Sequence, residues 1–430
     1  MRRKITEKLL KWKSLKKERM PMLINGARQV GKTFTITEFG YANYKNIVYV
    51  NFEVDANIVP YFDGDIAPQS IVALLEKYYN CKIIPEETLI IFDEIQLCER
   101  ALSSLKYFTE MAPEYHLIGA GSLLGVAVNR EQFLFPVGKV YIQTMYPMNF
   151  EEFLWAKNKE VLAHKILEHF NSNKAMDDRL HIDAMNEYNQ YLVIGGMPAV
   201  VKAYVSKDNI MSEEEIKSLI LNSYIADMSK YASASQSVKT KSAYDSIPSQ
   251  LAKDNKKFQY KLIKTGARAS LFGESINWLL NAGVVLKCDK CEHGFMPPSV
   301  YKDLSSFKLY MSDVGLLASK TGITLNSLNS TRASQYTGAM SENFVACELV
   351  SNGFELLYWE SKGIAEVDFV IVIDGKAIPV EVKAKTNTKS KSLSEFIKKY
   401  NPEYAMRIST KNFGFENNIK SVPAYASFCI

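Results

Sequence analysis

Short apolar runs alternate with longer stretches of helical period over the first third of the chain. Five runs of five to eight residues are apolar on both faces and end at polar or glycine-containing turns: 21–25, 46–53, 88–94, 115–121 and 140–145. Such runs are typical of parallel strands covered by helices on both sides. Spacings of roughly 20–40 residues leave room for a crossover helix in every gap. The pattern predicts a three-layer α/β domain with a parallel sheet.

The pattern changes further along the chain. Residues 147–240 are mainly helical, with a turn at 194–200 where two glycines and a proline follow one another. Residues 241–334 read as helices followed by two apolar β-like runs, at 284–288 and 307–313. The last segment, 335–430, is mixed, with a predicted helix at 341–353, strands at 355–361, 366–374 and 377–385, and a helix at 392–400. We therefore predict four domains: 1–146, 147–240, 241–334 and 335–430.

The N-terminal residues have a basic start like that of a signal peptide, but lysine and glutamate recur every few residues and leave no apolar centre. An amphipathic helix is the better interpretation, with Ile5, Leu9, Leu10, Trp12 and Leu15 on or near one face.

Composition limits the class of protein. The net charge of +5 over 430 residues is too small to predict a nucleic-acid partner by itself. No stretch approaches 18 uninterrupted apolar residues, so we expect no transmembrane helix and no membrane partner. Six scattered cysteines do not form a disulfide framework, which favours a reducing, cytoplasmic location.

Residues 26–33 match the phosphate-binding pattern G-x-x-x-x-G-K-[ST], between a predicted strand and a predicted helix. The predicted ATP-binding residues are Gly26, Ala27, Arg28, Gln29, Val30, Gly31, Lys32 and Thr33. The glycines let backbone N–H groups turn inward around phosphates, and the following helix presents its N-terminus to the negative charge. We expect Lys32 to reach the β- and γ-phosphates and the Thr33 hydroxyl to bind Mg²⁺.

Two acids end the apolar strand at 88–94. After a phosphate-binding loop, this arrangement predicts Asp93 as a direct or water-mediated ligand of Mg²⁺ and Glu94 as the base that polarises the attacking water. Ser122 ends another strand, and two interpretations stay open for it: a hydroxyl that senses the γ-phosphate, or a cap of the next helix.

A second candidate site lies near the C-terminus. Asp368 and the pair Glu381 and Lys383 lie on predicted strands, and Glu342 lies on the helix before them. Glu381 and Lys383 are two residues apart and so point to one face of their strand. This arrangement resembles the PD-(D/E)xK nuclease fold, a restriction-endonuclease-like mixed α/β domain in which Glu342, Asp368 and Glu381 would hold a metal ion and Lys383 would orient water. A DNA-binding or purely structural domain is the open alternative.

Two further features have weaker interpretations. The lysine-rich segment 253–268, with Phe258 and Tyr260, is compatible with a winged helix that contacts DNA phosphates, although charge runs are more often solvated faces. Cys288 and Cys291, with His293 nearby, have zinc-like spacing, but no second ligand pair follows, so we interpret them as incidental thiols at a hairpin tip.

These motifs together resemble prokaryotic AAA-type ATPases that carry a helical and winged-helix domain of unknown function. The resemblance rests on residues 26–33 and 92–96, on Gly-Ala-Gly-Ser at 119–122, and on the segments 145–154, 191–201, 222–228 and 307–318. It implies the additional-strand glutamate class of P-loop ATPases, with ATP or ADP and Mg²⁺ bound, and self-association into a homo-oligomer. Members often carry Gly-Arg where this chain has Gly138 and Lys139, so hydrolysis is expected to be slow if that position completes a neighbour's site. Arg28 and Arg130 are alternative arginines.

The resulting hypothesis is an ATPase that acts on or with DNA through its C-terminal domains. Two alternatives differ in class. One is a slow nucleotide-gated switch whose output is a protein contact, and the other is a metal-dependent nuclease with an assembly ATPase.

Overall fold

The computed structural model describes residues 1–16, 18–122, 138–206, 210–230, 233–327, 331–361, 365–383 and 391–430, and for 331–335 it describes the backbone only. The chain divides into two compact units. One comprises Arg2–Tyr146 with Asn281–Gly283, and the other comprises Met1, Pro147–Leu280 and Val284–Ile430.

The first unit is a parallel α/β domain, as predicted. Its strands are β1 (Met22–Gly26), β2 (Asn46–Asn51), β3 (Thr88–Asp93), β4 (His116–Ser122) and β5 (Tyr141–Thr144). Its helices are α1 (Ile5–Ser14), α2 (Lys32–Asn43), α3 (Pro68–Tyr79) and α4 (Glu99–Met111), with 3₁₀ turns at Ala56–Asp63 and Ile95–Leu97.

All strand pairs of this sheet are parallel, and their order is β2-β3-β4-β1-β5. The strand that lies between β1 and β3 in the sheet is therefore β4, although β2 is the one that separates them along the chain. This order places the ends of β1, β4 and β3 side by side at the carboxyl edge of the sheet, where ligands bind in folds of this kind.

Side chains alternate between the two faces of the sheet along each strand, so apolar residues pack on both faces. Leu23 of β1 packs into one apolar cluster, with Ile90 and Phe92 of β3, while Ile24 packs into a second cluster on the other face. Helix α1 covers the second face with Ile5, Leu9 and Trp12, so the amphipathic helix is confirmed. Leu10 departs from the predicted face, since it is 48% exposed.

The second unit contains ten helices and nine strands in the described residues. Its helices are α5 (Phe150–Ala156), α6 (Glu160–Ser172), α7 (Asp178–Ile194), α8 (Pro198–Val205), α9 (Glu213–Lys230), α10 (Ala234–Leu251), α11 (Ala269–Asn281), α12 (Val314–Thr321), α13 (Thr331–Ser351) and α14 (Lys391–Tyr400). Its strands are β6 (Val285–Cys291), β7 (Lys302–Met311), β8 (Leu357–Ser361), β9 (Ala365–Val367), β10 (Phe369–Ile373), β11 (Lys376–Val382), β12 (Ala405–Ser409), β13 (Gly414–Glu416) and β14 (Ile419–Pro423). 3₁₀ turns lie at Tyr260–Leu262, Pro298–Tyr301 and Ala424–Cys429.

The strands of the second unit form two sheets. One is a mixed sheet of order β10-β11-β12-β14-β13. The other has the order β7-β6-β8-β9: β6 and β7 form an antiparallel hairpin, and β6 pairs in parallel with β8. The predicted β-like runs at 284–288 and 307–313 lie in this hairpin, which is thus paired with a strand from beyond residue 335. Cys288 and Cys291 lie buried within β6, and Cys291 is the last residue of that strand, paired with Lys302 where the hairpin loop begins. Cys291 therefore lies beside the hairpin tip, as predicted, whereas Cys288 lies further back in the strand.

The predicted turn at 194–200 is a close contact between three chain segments. The Asp313 carboxylate accepts hydrogen bonds from Gly196 N at 2.6 Å and from Leu316 N at 2.9 Å, where it caps α12. Gly196 O accepts from Met148 N at 2.7 Å. A Cβ on Gly196 would lie 1.9 Å from Met148 O, so only glycine fits this contact. Three of the segments on which the family resemblance rests, 145–154, 191–201 and 307–318, therefore pack against one another here.

Candidate functional site

The loop between β1 and α2 has the backbone shape that the sequence predicts. Gly26 has φ +153°, and a Cβ at this position would lie 2.3 Å from the carbonyl oxygen of Met145. Gly31 has φ +91° and precedes the first turn of α2. Gln29 also has a positive φ, of 66°. These conformations need glycine at both ends of the loop. The loop therefore exposes its backbone at the N-terminus of a helix, and a backbone in that position can bind phosphates.

Lys32 lies on the inside of this loop. Its ammonium donates hydrogen bonds to the carbonyl oxygens of Gly26 at 3.0 Å and Ala27 at 2.9 Å, and the residue is only 8% exposed. Burial lowers the pKa of Lys32 to about 8, although the carboxylates of Glu94 and Asp93 act in the opposite direction. An ammonium with little access to water and a lowered pKa gains strongly from a phosphate anion placed beside it.

Asp93 joins the end of β3 to the phosphate-binding loop. Its Oδ2 accepts a hydrogen bond from the Thr33 hydroxyl at 2.8 Å and another from the Tyr49 hydroxyl at 2.6 Å. Asn51 Nδ2 in turn donates to the Tyr49 oxygen at 3.1 Å. Burial, together with the bond to Asp93, raises the pKa of Tyr49 to about 12, so the phenol remains a donor throughout the physiological range. Tyr49 was not predicted, because a tyrosine in a strand has no signal that distinguishes it from a packing residue.

Glu94 follows in a left-handed conformation, with φ 50°, and its backbone N–H donates to Asp93 Oδ1 at 3.1 Å. Its carboxylate accepts a hydrogen bond from Gln96 Nε2. A Cβ on Gly121 would lie 2.4 Å from Gln96 Oε1, so the absence of a side chain on β4 lets Gln96 lie against that strand. Gln96 is a second residue that the prediction missed, although it lies in the segment 92–96.

Ser122 is placed beside the loop by the register of the sheet. It pairs with Gly26, the first residue of the loop, and it is buried. The sequence predicts Ser122 as either a γ-phosphate sensor or a cap of the next helix, and residues 123–137, which follow it, lie outside the described part of the chain.

The oxygen atoms at this edge suit Mg²⁺. A serine or threonine hydroxyl and a carboxylate, completed by phosphate oxygens and water, are the ligands that Mg²⁺ takes in nucleotide sites. The hydroxyl of Thr33 and the carboxylate of Asp93 are in direct contact and supply those two groups.

Three residues were candidates for completing the active site of a neighbouring chain, and they lie in different places. Lys139 is 46% exposed and forms an ion pair with Glu110 of α4 at 3.0 Å. Arg28 lies in the loop itself, where its charge contributes to lowering the pKa of Lys32. Arg130 lies outside the described residues.

The C-terminal candidate residues come together in the second unit, in a buried ionic cluster. Glu342 is 1% exposed, and its carboxylate accepts hydrogen bonds from Lys256, from Lys308 at 3.2 Å and from Tyr310 at 2.6 Å. Burial alone raises the pKa of Glu342, but the two lysines outweigh that effect and lower it to about 2. Lys308 is fully buried and also pairs with Glu366 at 2.6 Å. Neither lysine was predicted, because their partners come from distant parts of the chain.

The other two carboxylates lie near the same cluster. Burial raises the pKa of Asp368 to about 7, and the charges of Glu342 and Glu381 act in the same direction. Asp368 accepts a hydrogen bond from Val382 N at 2.8 Å. Glu381 is 3% exposed and pairs with Lys383 at 2.5 Å. This contact agrees with the prediction that the two side chains point to one face of their strand.

This cluster does not fit the predicted metal site. Within the described ranges, no group of three or more histidine, cysteine, aspartate or glutamate side chains is arranged to hold a metal ion. Glu342 already has two ammonium groups as counter-charges. The two lysines therefore supply at Glu342 the counter-charge that a divalent ion would otherwise give, whereas Glu381 Oε2 is buried without a hydrogen-bond partner.

The lysine-rich segment 253–268 is only partly available to a partner. Lys256 is engaged by Glu342, and Lys257 pairs with Glu360. Phe258 is buried and stacks on Phe307 at 5.4 Å, so this aromatic ring belongs to the packing of β7. The exposed cations of the segment are Lys253, Lys261, Lys264 and Arg268. In the described residues, no helix is both long and apolar enough to cross a membrane.

Comparison with known proteins identifies the class of the first unit. Residues 18–154 match a family described as "AAA domain". Residues 185–327 match "Domain of unknown function (DUF8612)", and residues 337–426 match "Domain of unknown function (DUF4143)". The AAA match, together with a parallel five-stranded sheet and a phosphate-binding loop, supports an AAA-type P-loop ATPase. No curated protein matches the chain.

Solved structures give only distant likenesses. The Walker-type ATPase PABY2304 of Pyrococcus abyssi is 12% identical, with 75% of this chain and 95% of that chain covered at a TM-score of 0.43. The ORC1 protein of Aeropyrum pernix, in complex with DNA, is 11% identical, with 74% and 90% covered at a TM-score of 0.27. Cdc6p of Pyrobaculum aerophilum is 13% identical, with 75% and 88% covered at a TM-score of 0.22.

Proposed function

We propose that the first unit binds ATP with Mg²⁺ and hydrolyses it. The observation that carries this proposal is the contact between Thr33 and Asp93, which joins the phosphate-binding loop to the acidic end of β3 at 2.8 Å. In this proposal Lys32 and the loop N–H groups bind the phosphates, and Ser122 lies beside them. Mg²⁺, held through Thr33 and Asp93, would neutralise charge on the phosphate oxygens.

Glu94 is the proposed general base. It follows Asp93 directly and is oriented by its hydrogen bond from Gln96. A carboxylate beside a bound γ-phosphate can orient a water molecule and accept its proton during attack on phosphorus.

The test is ATP turnover by the full chain and by Glu94→Gln. We expect Glu94→Gln to bind ATP but to lose at least about a hundredfold in turnover, within the range for removal of a general base. Glu114→Gln is the matched control, because Glu114 is exposed and lies just before β4, at the opposite edge of the sheet. Equal turnover by wild type and Glu94→Gln would refute the role of Glu94, and absence of ATP binding by the wild type would refute the proposal as a whole.

For the output of the ATPase, we propose an action on or with DNA. This proposal rests on the exposed cations Lys261, Lys264 and Arg268, which follow the part of the segment that is engaged in ion pairs. DNA should stimulate ATP turnover, and replacing these three residues by alanine should abolish that stimulation while leaving basal turnover unchanged. Basal turnover that is unaffected by DNA would favour the alternative of a nucleotide-gated switch with a protein partner.

We do not extend the proposal to metal-dependent nuclease activity, because lysines supply the counter-charges of Glu342. Binding of Mn²⁺ in the presence of ADP provides the test. One ion is expected per chain, lost in Asp93→Asn and retained in Asp368→Asn. A second ion that disappears in Asp368→Asn would restore the nuclease hypothesis.

A further inference from the structure

Arg3 is a buried arginine that binds backbone carbonyl groups. It precedes α1 and is 6% exposed. Its Nη1 donates to the carbonyl oxygen of Val30 at 2.9 Å, and its Nη2 donates to the carbonyl oxygen of Tyr146 at 2.7 Å. A buried guanidinium is costly without hydrogen bonds, so the bonds from Nη1 and Nη2 hold the side chain in this position. The planar fork of arginine binds both carbonyls at once, which a lysine ammonium reproduces less well.

The bond to Val30 fixes one peptide plane of the phosphate-binding loop. The carbonyl of Val30 and the N–H of Gly31 belong to the same peptide group, and in a trans peptide they point in opposite directions. Since Arg3 holds the carbonyl on its own side, the N–H of Gly31 is directed to the other side. An inward N–H is the group that a phosphate-binding loop offers to its ligand.

The loop needs a contact that holds its backbone at this position. Gly31 has φ +91°, a conformation that glycine reaches without a side chain to hold it there. The start of the loop is fixed by the segment that Arg3 also binds, because Met145 N donates to Asn25 O at 2.8 Å and Met145 O lies against Gly26. Arg3 thus joins the end of the loop to the segment that supports its start.

We propose that Arg3 is a positioning residue of the phosphate-binding loop, which orients the Val30–Gly31 peptide for a nucleoside di- or triphosphate. The proposal rests on the proposed ATP binding at residues 26–33. Arg3 does not touch the nucleotide in this role; it reduces the ordering that the loop must undergo on binding, and such preorganisation appears as affinity.

The test compares Arg3→Ala with Arg2→Ala in the full chain. Arg2 is the matched control, because it is an exposed neighbouring arginine that pairs at the surface with Glu7 at 3.1 Å. We expect Arg3→Ala to weaken ADP and ATP binding and to raise the KM for ATP by about tenfold, the size of one charge-assisted hydrogen bond. The kcat at saturating ATP should stay within about twofold of wild type, and Arg2→Ala should match wild type in all three quantities.

Two more variants separate positioning from support of the fold. Leu9→Ala removes fully buried packing of α1 but leaves both bonds of Arg3 in place, so it should lower the Tm without changing the KM. Arg3→Lys should give an affinity between those of wild type and Arg3→Ala, and it provides the measurement if Arg3→Ala does not fold. An unchanged KM in Arg3→Lys and Arg3→Ala, with only the Tm lowered, would overturn the inference. Absence of ATP binding by the wild type would instead reject the proposed function on which it rests.

Discussion

Tyr49 and Thr33 donate to the same oxygen of Asp93, at 2.6 and 2.8 Å. The carboxylate at the end of β3 is therefore held from two sides, by the phosphate-binding loop and by the neighbouring strand β2. Holding a ligand side chain through a second residue is a common way to fix its orientation in metal sites.

Tyr49→Phe tests this support, because it removes only the hydroxyl. Asp93 keeps its bond from Thr33 but loses one orienting donor, so we expect an about tenfold higher Mg²⁺ concentration for half-maximal ATP turnover. The kcat at saturating Mg²⁺ should change little. The measurement is turnover against free Mg²⁺, with Tyr41→Phe as control, since Tyr41 is 75% exposed on α2. A Mg²⁺ requirement equal to that of wild type would show that Thr33 alone orients Asp93.

The pKa of Lys32 predicts how nucleotide affinity depends on pH. With a pKa of about 8, lowered by burial, Lys32 is charged at pH 7 and becomes neutral as the pH rises through 8. A phosphate anion favours the charged form, so binding must take up a proton above pH 8. The affinity for ADP should be constant between about pH 7 and 7.5, where phosphate is already largely ionised, and should fall by up to about tenfold per pH unit above pH 8.

Calorimetric titration with ADP from pH 7 to 9.5 measures this dependence, and repeating it in buffers of different ionisation enthalpy counts the protons taken up. Lys32→Arg is the control, since arginine does not titrate in this range. Any residual affinity of that variant should be independent of pH. An affinity of the wild type that is flat up to pH 9.5 would contradict the lowered pKa.

Local motifs could be predicted from the sequence, whereas contacts between distant segments could not. The five strands and the conformation of residues 26–33 follow from periodicity and glycine positions near one another in the chain. The position of β4 between β1 and β3 depends on non-local pairing that no short pattern encodes.

Side-chain roles follow the same rule. The spacing of Glu381 and Lys383 sufficed to predict that they point to one strand face, where they form an ion pair. Lys308 lies in an apolar run that resembles any other core strand. Its partners Glu342 and Glu366 come from a later helix and strand, so nothing near Lys308 in the sequence indicates that it is buried in an ion pair. Arg3 was likewise hidden among basic residues at a helix start.

The ionic cluster of the second unit predicts a large effect of one substitution. Lys308→Met keeps a long side chain but removes the charge between Glu342 and Glu366. Removing one partner of a buried ion pair leaves an uncompensated charge and costs about 3–5 kcal/mol. We expect this loss in the free energy of unfolding of the second unit, measured by urea titration with circular dichroism.

Lys376→Met is the matched control for that measurement. Lys376 also pairs with a carboxylate, Glu403, but both side chains are more than half exposed, and such pairs contribute at most about 1 kcal/mol. If both substitutions lowered the free energy of unfolding by a similar small amount, Lys308 would be accessible to water and the ionic cluster would not be fully buried.

Gly196→Ala addresses the contact in which three segments of the family resemblance meet. A Cβ at Gly196 would lie 1.9 Å from the carbonyl oxygen of Met148, which is backbone and has no flexible end to move aside. The new methyl group must separate α7 and α8 from the segment at Met148, and it also disturbs the hydrogen bond from Gly196 N to Asp313. Overpacking and a weakened bond to a buried carboxylate together should cost about 3 kcal/mol or more.

Gly273→Ala is the control for this substitution, because Gly273 lies inside α11 and a Cβ there meets no atom within 4 Å. Alanine in a helix interior should stabilise that helix by about 0.5–1 kcal/mol, so the two substitutions are expected to have opposite signs. Thermal unfolding followed by circular dichroism distinguishes them. If Gly196→Ala unfolded at the same temperature as wild type, the contact would have room to relax, and packing would not require glycine at this position.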